Sequence, residues 1–180
     1  MGLIGFSCYA FGAGMGGHIV LFAISSALAA ATLPFLAFNF SPARIFMGDA
    51  GSVTLGFLAA TLGALGWREG VWSPFFPVFV FSPFIADASL TLLKRILARE
   101  RFWQSHRDHY YQKLMRMGLG HRNTALLEYL LMLVASFGAL ATPYLNGAQQ
   151  LALIISWGAV LIALAFLVDR WWARHSGTAA

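Results

Sequence analysis

Long apolar blocks decide what this chain can fold into. Five stand out, running roughly from His18 to Phe38, Val53 to Trp67, Val71 to Leu93, Ala125 to Tyr144 and Leu151 to Val168. A helix that crosses the hydrocarbon core of a bilayer needs about 20 apolar residues, and the blocks approach that length. Only 11% of the 180 residues are charged, against 59% hydrophobic, whereas a soluble domain carries about 25% charged residues. So few charges cannot keep a water-facing surface solvated. The chain therefore reads as an all-α integral membrane protein, a single transmembrane domain over residues 1–180 with about five transmembrane helices. Gly2 to Gly14 adds an apolar, glycine-rich segment, too short to span and read as a partial helix; it lacks the basic lead-in of a signal peptide. The third block carries Pro74, Pro77 and Pro83 and is expected to be a kinked helix, because neighbours in a membrane can satisfy the carbonyls that proline frees. Cys8, the single cysteine, can make no internal disulfide and fits no metal-ligand spacing.

The charges assign the sides. Eight of the twelve Lys and Arg residues lie between Lys94 and Arg122, and basic residues next to spans mark the cytoplasmic face. With that segment, a loop at 94–123, placed inside, alternation puts Ser41 to Ser52 and the C-terminal tail inside as well. Arg68 and Glu69 then fall outside, and eleven of the twelve basic residues share one side. This topology accounts for the net charge of +5, and no nucleic-acid partner is expected. Trp67 and Trp72, around the outer turn, and Trp171 and Trp172, at the inner end of the last block, are placed at the membrane interfaces.

Two inner segments hold most of the unusual polar residues. In the first, Asn39 to Ser52, Gly48 and Gly51 flank Asp49 and allow unusual backbone angles there, and Ser52 is expected to cap the next helix. Asp49 then sits beside a helix N-terminus, where backbone N–H groups favour phosphate. A carboxylate there repels phosphate unless a cation bridges them, and Mg²⁺ takes one or two carboxylates together with phosphate oxygens. The same residues could equally be a helix cap and a turn. The second segment holds His106, Arg107, His109 and Lys113, cations and imidazoles suited to a diphosphate; a basic loop drawn to anionic headgroups is the alternative. Asp87, late in the third block, is either functional or paired with Lys94 or Arg95. Glu128 and Asp169 read as residues of helix ends and interfaces, and Asn39 as a ligand contact or a helix end.

The run Pro42-Ala43, Phe46-Met47-Gly48-Asp49-Ala50-Gly51-Ser52 and Leu55-Gly56 resembles the glycosyltransferase 4 or MraY/WecA family of polyprenyl-phosphate N-acetylhexosamine-1-phosphate transferases. The stretch from Pro83 to Asp87, followed by His106-Arg-Asp-His109-Tyr-Tyr-Gln-Lys-Leu114 and Gly118, is similar to the WbpL-type branch, which primes O-antigen synthesis. The resemblance covers about Asn39 to Tyr129. It implies a UDP-N-acetylhexosamine donor, a polyprenyl (undecaprenyl) phosphate acceptor, UMP release, and Mg²⁺, or Mn²⁺, on Asp49. It also implies a bacterial inner-membrane location with the active face and C-terminus cytoplasmic, and allows a homodimer. His106 and His109 would lie in the loop that binds the diphosphate, with Asn39, Gly48, Gly51, Ser52, Arg107 and Lys113 as substrate contacts. Several relatives carry a His-x-His-His run; aligned through Gly118, its first histidine falls on His109 and its last two positions on Tyr111 and Gln112. The family's paired aspartates in its first half have no counterpart here, so the chain is expected to be the C-terminal half of a longer transferase, lacking part of the metal site and catalytically incomplete alone. A small transporter centred on Asp87, or a lipid-binding membrane protein, is the competing reading.

Overall fold

The computed structural model describes residues 1–99 and 108–177, and among these every regular element is helical. Helix α1 is Gly2–Met15, α2 Ile19–Asn39, α3 Gly48–Arg68, α4 Phe75–Val80, α5 Ser82–Leu97, α6 Tyr110–Leu114, α7 Gly120–Ala141 and α8 Gly147–Gly177. A π-helical segment, Met115–Leu119, joins α6 to α7, and a 3₁₀ turn, Thr142–Tyr144, follows α7.

Four stretches are long and apolar enough to cross a membrane: α2, α3, the run Tyr110–Tyr144, and Gly147–Ser176; α1 is apolar but shorter. Large side chains such as Phe57, Phe137 and Phe166 face outward, as lipid-facing residues must when every backbone group is satisfied inside its helix. The chain is an integral membrane protein. The second apolar block proves longer than its sequence suggests, since α3 has 21 residues and begins at Gly48.

The third block forms two helices in tandem rather than one bent span. The break lies at Phe81 (φ −95°, ψ 10°), and Pro83 explains it. A proline at 83 has no N–H for the carbonyl of Phe79, four residues back. Ser82 supplies the donor instead, its Oγ reaching that carbonyl at 2.6 Å. The same hydroxyl accepts Nε1–H of Trp157 from α8 at 2.8 Å, so the break is tied to the last helix.

At the end that the charge pattern assigns to the outside, hereafter the outer end and its opposite the inner, α1 and α3 are each followed by a glycine with positive φ, Gly17 and Gly70. After α3, Gly70 has φ +72°, Val71 N donates to Gly66 O at 2.8 Å and Gly70 N to Trp67 O at 3.0 Å. This paired closure turns the chain back on itself and returns Trp72 onto α3. There its Nε1–H donates to Gly63 O at 3.0 Å, and a Cβ on Gly66 would lie 2.1 Å from the indole. Trp72 is therefore a core residue, 6% exposed, and not an interface tryptophan as its place beside the outer turn suggests; Trp67 does face outward. Around Trp72 gather Tyr9, whose ring lies 5.2 Å away, and Phe76, stacked at 4.9 Å. The Tyr9 hydroxyl donates to Ala59 O at 3.1 Å, which locks α1 to α3.

Helix α8, with 31 residues, is about 46 Å long at 1.5 Å per residue, against about 30 Å of hydrocarbon. Its inner end runs past the apolar block and carries Asp169, Arg170 and Arg174. Within the segment 94–123, α5 continues to Leu97 and α6 opens at Tyr110.

Candidate functional site

The inner end gathers the N-terminus of α3, the ends of α2 and α5, the starts of α6 and α7, and the tail of α8. Phe40, just after α2, lies 6.5 Å ring to ring from Tyr129 on α7.

The turn before α3 is closed by its own polar groups. Asn39 ends α2, and its Nδ2 donates to Ile45 O at 2.9 Å, so its amide shapes the loop. Gly48 has φ +64°, a region closed to most other residues, and Asp49 follows in the first turn of α3. The carboxylate of Asp49 is exposed beside the positive end of the helix dipole. Gly51 is helical rather than unusual in its angles, but a Cβ there would lie 2.4 Å from Met47 Cγ; its lack of a side chain makes room for Met47. Ser52 is not the cap of α3. The helix has already begun at Gly48 with Met47 as its cap, and Ser52 Oγ donates to Asp49 O at 3.4 Å.

In the second segment His109 meets Asp87 and Lys113 meets Asp169; His106 and Arg107 lie outside the described residues. Asp87 pairs with neither Lys94 nor Arg95. Its Oδ1 accepts Tyr110 N–H at 2.8 Å and Thr91 Oγ1 at 3.2 Å and stands 3.4 Å from His109 Nδ1. It thus caps α6 from a different helix. Arg95 instead meets Asp108 at 2.7 Å. Lys94 bonds Asp169 and the Tyr110 hydroxyl, and Lys113 Nζ reaches Asp169 Oδ1 at 2.9 Å. Partial burial disfavours the Lys94 charge, but the bonds to Asp169 and Tyr110 outweigh it and hold its pKa above the ordinary lysine value. Asp169, which the sequence suggests is a plain interface residue, is thus the counter-charge of this end. The available signal was the eight basic residues between Lys94 and Arg122, which need acidic partners.

Among the described residues no three His, Cys, Asp or Glu side chains form a group that could cage a metal ion. Asp49 alone fits a different arrangement, a hard cation held by one protein carboxylate and completed by phosphate oxygens and water.

Beside the first segment opens an apolar groove of about 740 Å³. Its inner end is rimmed by Asn39, Met47 and Ser52 on one side and by Ile85 and Tyr129 on the other, and it runs along α3 to Trp67 and Pro74 at the outer end. Asp87 stands two residues beyond Ile85 on α5, a spacing that turns it to a different face of the helix, so the polar groups that line the inner mouth are those of Asn39 and Ser52.

Residues 1–66, which include α1, α2, the Asp49 turn and most of α3, match the model of glycosyl transferase family 4. A probable undecaprenyl-phosphate N-acetylglucosaminyl 1-phosphate transferase of Bacillus subtilis is 34% identical over 142 residues, 78% of this chain and 40% of that protein. The decaprenyl-phosphate N-acetylglucosaminephosphotransferase of Mycobacterium leprae is 33% identical over 153 residues, 77% of this chain and 38% of that protein. A phospho-N-acetylmuramoyl-pentapeptide-transferase of Thermotoga neapolitana is 34% identical over 102 residues, 57% of this chain and 29% of that protein. No solved structure matches the chain significantly. The chain spans about two fifths of the length of the first two relatives, and it belongs to glycosyl transferase family 4, the MraY/WecA family.

Proposed function

We propose that this chain takes part in moving N-acetylhexosamine 1-phosphate from a UDP-sugar onto a polyprenyl phosphate at the cytoplasmic face of a bacterial inner membrane, in cell-surface glycan synthesis such as O-antigen priming. The observation that carries the reading is the groove along α3, apolar over its length and opening between Asn39 and Ser52 on one side and Ile85 on the other. A long isoprenoid chain suits such a groove, which keeps its phosphate at the polar inner mouth. The B. subtilis and M. leprae relatives, by name, act on undecaprenyl and decaprenyl phosphates.

In the reaction an oxygen of the lipid phosphate attacks the phosphorus next to the sugar. The bond from that phosphorus to the bridging oxygen breaks, and UMP leaves with the oxygen. Transfer of this kind depends on positioning and charge neutralisation more than on covalent chemistry by the protein. Asp49 is the residue that would hold Mg²⁺, or Mn²⁺, and the cation would neutralise charge on the phosphoryl oxygens. His109, with Nδ1 turned to Asp87, contacts the diphosphate; His106 and Arg107 belong to the same segment of sequence. The transporter reading would need Asp87 to serve a water path. Its Oδ1 is instead taken by Tyr110 and Thr91.

The test is UMP release in proteoliposomes by the protein together with the first half of a family transferase, which supplies the paired aspartates. Release that requires undecaprenyl phosphate, a UDP-N-acetylhexosamine and Mg²⁺ together is the expected result. Folded protein that releases no UMP with all three present contradicts the reading.

A further inference from the structure

We propose that Asp169, on the C-terminal helix, is a positioning residue that holds His109 from the far side of Tyr110; the catalytic consequence, though not the contact itself, rests on the transferase reading above. The helix that follows His109, Tyr110–Leu114, runs on into the π-helical segment and is parted from α7 by the kink at Gly118, whose φ is +99°, so α7 alone does not fix its direction. Two carboxylates from other helices fix it. On one side Asp87 takes the Tyr110 N–H at 2.8 Å and stands 3.4 Å from His109 Nδ1. On the other, Asp169 accepts the Tyr110 hydroxyl at 3.1 Å and Lys113 Nζ at 2.9 Å, and also bonds Lys94.

Lys94 and Lys113 flank the Tyr110 ring, 4.9 and 5.0 Å from its centre, and Tyr110 is only 7% exposed. Two ammonium groups this close repel each other. The Asp169 carboxylate cancels one charge and bridges both. Without its charge the lysines move apart toward water, and Lys113 takes α6 with it. Helix α8 does not need Asp169 merely to stay in place. Trp157 already joins it to Ser82 at 2.8 Å, and Arg116 lies 4.6 Å over the Trp172 ring. What Asp169 adds is a fixed position for Tyr110, and through Tyr110 for its neighbour His109.

The test compares wild type with Asp169→Asn and Asp169→Glu, full chain in lipid nanodiscs. It reads hydrogen exchange over residues 110–114 and the modification of His109 by diethyl pyrocarbonate. Loss of a charge-assisted bond should speed exchange there about tenfold in Asp169→Asn, with faster modification of His109 and no change around Tyr9 and Trp72; Asp169→Glu should restore both. In the UMP-release assay the same variant should lose about tenfold in kcat while KM for the UDP-sugar changes less than about twofold, the size of loss that outer contacts of a site produce. Tyr110→Phe keeps the ring and removes only the hydroxyl, so it covers the case in which Asp169→Asn does not fold, and it should shift exchange the same way by less. Unchanged exchange and unchanged His109 modification in the folded variants overturn the proposal, whatever the activity. Faster exchange together with a wild type that releases no UMP supports the positioning role and counts against the transferase reading alone.

Discussion

At the outer end Trp72 is 6% exposed and stacks on Phe76 at 4.9 Å; at the inner end Asp49 stands exposed, one residue after a glycine at φ +64°. Both ends depend on glycine, for opposite purposes. Gly66 lacks a side chain so that Trp72 can lie against α3, and Gly63 does the same for Pro77 and Tyr9, whereas Gly48 supplies a backbone angle that leaves the next carboxylate facing out. The outer end is held by rings in contact, as interiors without a hydrophobic drive between helices must be. The inner end is held by a few charged bonds between α5, α6 and α8. The difference separates scaffold from site: packing fixes the groove, and polar contacts fix the charged residues of the inner end.

Three substitutions would break or sharpen that contrast. Tyr9→Ala has the largest expected effect, because it empties a fully buried site among four rings, those of Phe6, Trp72, Phe76 and Phe81, and removes the bond to Ala59. It should destabilise by about 3–5 kcal/mol, read as lost thermal stability in detergent, and should loosen the inner end only through the global loss. Gly66→Ala comes next. Its Cβ would meet the rigid indole at 2.1 Å, and overpacking of this kind costs about 1–3 kcal/mol; local exchange should rise around Trp72 while the amides of 110–114 keep their rates. Arg68→Ala is the smallest. Its pair with Glu69 spans 3.5 Å at an 80% exposed side chain, and exposed pairs contribute little, so thermal stability should not change. A large loss there would mean that charges support the outer end too.

Much of this frame was legible in the sequence, because hydropathy and proline act locally. The apolar blocks at α2, α7 and α8 announce themselves by length, that at α3 only in part because its first turn holds Gly48 to Ser52, and Pro83 announces the break at Phe81. Trp72 was misleading since its neighbours in sequence are turn residues, while the glycines that receive it lie six and nine positions back on α3. Ser52 looked like a cap because capping rules favour serine, yet the positive φ at Gly48 starts α3 earlier. The partners of Asp169 are separated from it by 75, 59 and 56 residues, and Asp87 reaches Tyr110 across 23. No local pattern encodes such pairs, so the residues of the site could be picked out by type, but the carboxylate that each cation and imidazole meets could not.

The central claim is that Asp49 carries the cation at the mouth of a lipid-phosphate groove. The most direct measurement is Mg²⁺-dependent UMP release by Asp49→Asn against wild type, each together with the first half of a family transferase, with thermal unfolding of both proteins as the control. Loss of about a hundredfold or more in release, with unfolding unchanged and no recovery at high Mg²⁺, is the predicted result. Normal release by Asp49→Asn with an unaltered Mg²⁺ requirement would contradict the account, and the cation would then have to be held elsewhere.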